Sequence, residues 1–162
     1  MTKKKPGEGG TGPFRRVVAR NKRARHDYHL VEEWEAGVVL VGSEVKTLRG
    51  GKGSIAEAYA RMRGSELWLL GANIPEYREA NRFNHEPTRD RKLLLHRQEL
   101  RKLEIKLRKG GCTVVPTEIY FDERGKVKVR VALATGKRQH DKRQDMRTAD
   151  AQRDLDRVRK AR

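Results

Sequence analysis

Apolar and polar positions along the chain change rhythm several times, and each change predicts an element. From Tyr28 the pattern is strand-like, with Tyr28, Leu30 and Glu32 alternating against His29 and Val31. Trp34-Glu35-Ala36-Gly37 interrupts it, and Val38 to Val41 resumes as a run apolar on both faces. Gly42-Ser43 precedes Val45 and Leu48, and Gly50-Gly51-Lys52-Gly53 reads as a turn. Ser54-Ile55-Ala56-Glu57 has capping-box spacing and predicts a short helical turn. Tyr59–Met62 and Leu67–Leu70 flank Arg63-Gly64-Ser65-Glu66, a hairpin signal.

Residues 75–92 hold Pro75, Pro87 and many charges without a period, which predicts a long surface loop. Leu93, Leu100, Leu103 and Leu107 fall on one helical face, predicting a helix over about 97–109 that Gly110-Gly111 stops. Thr113–Phe121 and Val127–Leu133 read as strands joined by a turn at Asp122-Glu123-Arg124-Gly125. In the second strand Val127, Val129, Val131 and Leu133 alternate with Lys126, Lys128 and Arg130, an apolar face against a basic one. After Gly136 only Met146, Ala151, Leu155 and Val158 form a thin stripe, a helix-capable stretch from about Asp145 to Lys160. The fold class expected is mainly β with short helices. Six or seven short strands with mostly antiparallel links suggest a small closed antiparallel β-barrel with a basic C-terminal tail.

Charge divides the chain into the same parts. The 162 residues carry a net charge of +17. Residues 1–25 contribute +8 and residues 136–162 contribute +5, so the middle is only mildly basic. The expected organisation is a flexible leader over 1–16, rich in Gly and Pro, and a folded domain over 17–135. A basic tail over 136–162 is expected to be disordered when free and helical when bound. Basic arms around a compact domain point to a polyanion, because Lys and Arg on phosphates release condensed counterions. The longest aliphatic run, Val38–Val41, is far too short to span a membrane, and no apolar segment follows the basic N-terminus. Cys112 is the single cysteine, which fits a reducing cytoplasm.

Catalytic chemistry finds little support. His26, His29, His85, His96 and His140 are scattered, and one cysteine offers no zinc site of ordinary spacing. Gly50-Gly51-Lys52-Gly53-Ser54 lacks the spacing of a phosphate-binding loop. Neither an enzymatic activity nor a cofactor or metal is expected. Lys126, Lys128 and Arg130, together with Arg89, Arg91 and Lys92, form a candidate RNA-facing wall. The aromatics Tyr28, Trp34, Tyr59, Trp68, Tyr77, Phe83, Tyr120 and Phe121 are expected mostly in the core, which favours reading a folded RNA by shape over threading a single strand.

Several segments resemble the bacterial SsrA-binding protein (SmpB) family. They are Asn21-Lys22-Arg23-Ala24, Glu35-Ala36-Gly37, Gly42–Gly50, Gly71-Ala72-Asn73-Ile74, Arg89–His96 and Gly136–Arg143, and the match is collinear from about residue 17 to 160. The resemblance implies an oligonucleotide-binding (OB) type barrel. It implies binding to the tRNA-like part of transfer-messenger RNA (SsrA RNA) as a monomer in a 1:1 complex, and delivery of that RNA to stalled ribosomes for trans-translation. Glu35, Leu94 and Lys126 fall where the family contacts the RNA. Within the matching motifs the further candidate contacts are Asn21, Lys22, Arg23, Glu44, Lys46, Arg89, Arg91 and Lys92, and Lys128 joins them from the basic strand face. The tail residues Gly136, Lys137, Arg138, His140, Asp141, Lys142 and Arg143 fall where the family meets small-subunit RNA at the decoding centre, with the helix beyond them in the empty messenger path.

Physical roles suit these positions. Glu35 accepts from a base amino group or a 2′-OH, and Lys126 reaches a phosphate or a base edge. Leu94 is either an apolar contact for an unstacked base or a core residue of Leu93-Leu94-Leu95. A structural ribosomal protein would share the composition; the Gly136–Arg143 motif and the acidic Glu35 beside a basic wall favour the SmpB reading.

Overall fold

The computed structural model describes residues 15–80 and 83–160. The leader expected over 1–16 lies outside them as far as residue 14, and Arg16 already belongs to a strand. The elements run in the order β1 (Arg16–Arg20), α1 (Lys22–Asp27), β2 (Tyr28–Val38), α2 (Gly42–Arg49), β3 (Tyr59–Arg63), β4 (Glu66–Leu70), β5 (Arg91–Leu94), α3 (Arg97–Arg108), β6 (Cys112–Phe121), β7 (Val127–Gly136) and α4 (Gln139–Lys160). All strand pairings are antiparallel. They run β6–β3–β4–β5–β2–β7 and return to β6, a ring of six strands, with β1 added on β6. The architecture is therefore mainly β with short helices.

The ring closes because β6 serves three partners. β7 pairs along its whole length, β1 takes residues 118–121 and β3 takes Val114. Between the β1 and β3 sections the ladder shifts register, at Pro116, which has no N–H to donate. Asn21 ties this irregularity down. Its backbone N–H donates to Thr117 O (2.8 Å), and its side-chain amide donates to Pro116 O and Ile55 O (both 3.1 Å). Its Oδ1 accepts from Ala24 N at 3.0 Å, capping α1.

One apolar core fills the ring. Trp34, Leu48, Leu67, Leu69, Leu93, Leu103, Val114, Ile119, Val129 and Val131 are buried together there. The alternation expected in β7 is present, with Val129, Val131 and Leu133 inside. Ala132 and Ala134 are buried as well, Ala134 in a smaller cluster with Ala24 and Val115 beneath α1.

Four local expectations are corrected. β2 runs unbroken through Trp34–Gly37, because Trp34 and Ala36 point inward while Glu33 and Glu35 face out. It ends at Val38, so the Val38–Val41 run is not a strand. The short helix is α2, not Ser54–Glu57, and Ser54 instead forms an isolated bridge with Asn73. α2 buries Glu44, Thr47 and Leu48, two of them polar, and so shows no apolar stripe. Leu93 belongs to β5, not to the leucine face of α3, and the loop expected to 92 stops short of Arg91. Finally, α4 begins at Gln139, earlier than the Asp145 that the stripe suggested. No described helix is long and apolar enough to cross a membrane.

Candidate nucleic-acid interface

The site is built where β2 lies between β7 and β5. Gly37 pairs with Lys128 on one side and with Leu94 on the other. A Cβ at Gly37 would sit 3.4 Å from Leu94 Cβ, so the glycine leaves room for the leucine to lie across the sheet. Leu94 ends β5 with 51% of its surface exposed, which settles its position as a surface residue. Lys126 is placed by the β6–β7 turn. Its N–H donates to Asp122 Oδ1 (2.8 Å), its carbonyl accepts from Asp122 N (2.9 Å), and Gly125 closes the turn at φ +72°. These residues line one open groove of about 700 Å³ with Glu35 and Lys128 at one wall and Leu40, Val45, Leu95, His96 and Glu99 at the other. Glu35, Leu94 and Lys126, far apart in sequence, thus share one concavity.

Glu35 is held rather than loose. The hydroxyl of Tyr120 donates to Glu35 Oε2, and Lys128 Nζ stands 3.5 Å from Oε1. Tyr120 is buried, and burial together with the Glu35 carboxylate pushes its phenol up to about 12, so it stays a donor at any physiological pH. The Arg15 guanidinium stacks on the Tyr120 ring at 4.1 Å from its centroid. A second, smaller groove of about 290 Å³ continues from the first past Arg15, Tyr120 and Arg124 and shares Glu35, Lys126 and Lys128 with it. Sequence reasoning placed Tyr120 in the core and missed this role; its register opposite Lys128 was the available signal.

The outer face of β7 is less basic than its lysines suggested. Arg130 stands 3.8 Å from Glu33 and 4.0 Å from Glu118, and Glu118 also holds Arg15 and Arg20. Acids on β2 and β6 therefore offset Lys128 and Arg130, and the exposed Lys126 at the end of this face is its cation most open to a partner.

Three candidate contacts are corrected outright. Asn21 is buried, and its side chain is fully engaged with Pro116, Ile55 and Ala24. Glu44 and Arg91 have no exposed side-chain surface. Arg91 donates from Nε to Glu44 Oε1 (2.8 Å) and from its terminal nitrogens to Ala72 O, Arg89 O and Pro87 O (2.7–2.9 Å). Glu44 also accepts from Arg89 (2.8 and 2.5 Å) and from Val41 N (2.9 Å). Burial raises the Glu44 pKa, but the hydrogen bonds from Arg89 and Val41 and the Arg91 charge outweigh it and hold the carboxyl below its ordinary value. The Glu44–Arg91 pair fixes α2 to β5 and has no surface with which to reach a ligand. Lys92 pairs with Glu66 on the outside of β5, and Arg89 is largely spent on Glu44 and Val39 O. Lys22, Arg23 and Lys46 are exposed, Arg23 within 3.3 Å of Glu57.

The tail motif straddles the end of β7 and the start of α4. Gly136 pairs with Tyr28, and Lys137 donates to Asp27 O from its backbone (3.0 Å) and to Arg25 O from Nζ (2.8 Å). Arg138 N donates to Asp141 Oδ2 (3.3 Å), which also stands 3.7 Å from His29 Nε2. The side chains of His140, Lys142 and Arg143 lie outside the described residues. Among the described residues no group of three or more His, Cys, Asp or Glu is placed to hold a metal.

Comparison with known proteins decides the family. The model of the family described as SmpB protein matches residues 18–161. The chain belongs to the SmpB family. Its relatives include SsrA-binding proteins from Sphingopyxis alaskensis (51% identical, covering 91% of this chain and 92% of that protein) and Azorhizobium caulinodans (53%, covering 89% and 90%). A third, from Thermobifida fusca, is 47% identical over 98% of this chain and 97% of its own length. A solved structure described as "tmRNA-SmpB: a journey to the center of the bacterial ribosome" superposes with a TM-score of 0.63 at 46% identity. It covers 79% of this chain and 93% of that one. On this SmpB-family chain, one open groove joins an oriented carboxylate, an exposed leucine and an exposed lysine.

Proposed function

We propose that this protein binds SsrA RNA through the groove of Glu35, Leu94 and Lys126 and carries that RNA to stalled ribosomes for trans-translation. The observation that carries the reading is the convergence of those three residues in one open groove on a chain of the SmpB family. Its SsrA-binding relatives and the tmRNA-SmpB structure supply the partner. The strand ring supports an OB-type barrel over about residues 17–135, with a basic tail beyond it. In this reading Tyr120 orients the Glu35 carboxylate to accept from a base amino group or a 2′-OH. Leu94 covers the face of an unstacked base and Lys126 meets a phosphate or a base edge. One copy of the protein holds one RNA in the cytoplasm. The protein's part is recognition and delivery, with no chemical step of its own.

Because phosphate contacts release counterions, affinity for SsrA RNA is expected to fall roughly tenfold or more between about 50 and 200 mM salt. Filter binding across a salt series measures this. An affinity that does not change with salt would remove the electrostatic basis of the proposal.

A further inference from the structure

Phe83 is the most exposed large apolar side chain among the described residues, with 93% of its surface open. Single exposed apolar residues are ordinary on protein surfaces, so exposure alone decides nothing. The surroundings of Phe83 do. It stands on a loop that is otherwise well tied. The Asn84 side chain bonds Tyr77 N (3.1 Å) and Tyr77 O (2.9 Å), and the buried His85 ring joins Ser43 Oγ and Ile74 O (both 2.9 Å). The two residues that follow Phe83 are thus held inward while the phenylalanine is presented to solvent.

Beside Phe83 is a separate open groove, of about 670 Å³, lined by Tyr77, Lys46, Ser43, His85 and Arg89. Lys46 Nζ lies 5.4 Å from the centre of the Tyr77 ring, and the Tyr77 hydroxyl is taken up by Glu79. The Glu44–Arg89–Arg91 cluster at its edge holds one carboxylate and two guanidiniums, so it carries one net positive charge. With Lys46, and with Glu79 on the Tyr77 hydroxyl counted against it, the groove pairs two aromatic rings with one net positive charge, and Lys46 and Arg89 are the cations that line it. Every nucleobase offers a π-face to a flat ring, and its phosphate needs a cation nearby. One segment contributes to both grooves: Leu40 and Val45 line the first, while Val41 and Lys46 line the one beside Phe83.

We infer that the Phe83 groove is a second contact for the same RNA, in which an unstacked base lies on Phe83 and a neighbouring phosphate meets Lys46. The inference rests on the proposed binding of SsrA RNA in the first groove and extends it along the short segment 40–46. The lining cations Lys46 and Arg89, and the segment 40–46 shared with the first groove, favour RNA over a protein partner.

The test measures SsrA RNA affinity for Phe83→Ala, Phe83→Leu and Phe83→Tyr, with Lys126→Ala in the same assay. Phe83→Ala and Phe83→Leu are expected to weaken binding roughly five- to hundredfold, and Phe83→Tyr to keep wild-type affinity. All three should melt with the wild type, since the exposed ring supports no packing. A Phe83→Leu chain that binds like wild type while Phe83→Ala is weak would overturn base stacking. Wild-type affinity for Phe83→Ala, with Lys126→Ala weakened, would overturn the second contact and leave the first groove standing. Full RNA affinity but poorer ribosome association for Phe83→Ala would assign the patch to another partner and overturn the inference. Wild-type affinity for Phe83→Ala and Lys126→Ala alike would bring down the groove reading on which the inference rests.

Discussion

Glu44→Gln is expected to destabilise the fold by about 3–5 kcal/mol, a large share of the total stability of a domain this size. The carboxylate is fully buried and is the acidic group that bonds Arg91, whose side chain has no exposed surface of its own. The amide keeps the shape but removes the charge and turns an N–H₂ toward guanidinium donors. Arg91 is left without the buried carboxylate that bonds it, and Arg89 loses its charged partner while keeping its bonds to Val39 O and Asp90 O. The pH dependence comes from the sign of the shift. Glu44 titrates below the ordinary value of 4.5, so its contribution is complete above that pH and is lost as pH falls through the lower native value. The gap between wild type and Glu44→Gln should therefore be widest near neutrality and close in acid. Urea unfolding at several pH values checks both points. An unchanged midpoint at pH 7 would show that the cluster does not hold α2 to β5.

Cutting the chain after Arg138 is expected to leave SsrA RNA affinity nearly intact and to reduce peptide tagging on stalled ribosomes to background. The cut keeps Gly136 in β7 and Lys137 on Asp27 and Arg25, so the ring retains its closing ties. What is removed is α4, whose Met146 and Leu155 are exposed. Most helical stability comes from packing an apolar face, and among the described side chains of this 22-residue helix none is buried, so a partner is expected to supply that packing. In the proposed account that partner is the ribosome. Arg147, Arg153, Arg157, Arg159 and Lys160 meet phosphates in the empty messenger path, and His140 stacks on a base at the decoding centre. His140→Ala should likewise impair tagging more than RNA binding. Normal tagging by the shortened chain would reduce the tail to a solubilising charge run.

What the sequence made legible came from periodicity. The alternation of Val129, Val131 and Leu133, the hairpin around Gly64 and the leucine face of α3 all depend on spacing alone, and all are present. The two short helices before β3 were not legible, because α1 buries only Ala24 and α2 buries two polar residues out of three. Their signals lie in partners distant in sequence, Pro116 for Asn21 and Arg91 for Glu44. The same limit governed the site. Glu35, Leu94 and Lys126 were named through resemblance, and only the pairing of β2 with both β5 and β7 brings them together. Asn21, Glu44 and Arg91 look like surface chemistry in a one-dimensional reading, since nothing local announces a buried ion pair. Phe83 shows the opposite error: an aromatic residue assigned to the core stands in solvent because its loop neighbours take the inward positions.

The central claim is that one groove on the strand ring holds the RNA. Equilibrium binding of SsrA RNA at a single fixed salt concentration tests it most directly, using Leu94→Ala, Lys126→Ala and a charge-matched control, Lys102→Ala, on the exposed side of α3. The account predicts that each groove variant weakens binding by roughly five- to hundredfold while Lys102→Ala binds nearly as the wild type does. Equal affinities for all of these chains would contradict it.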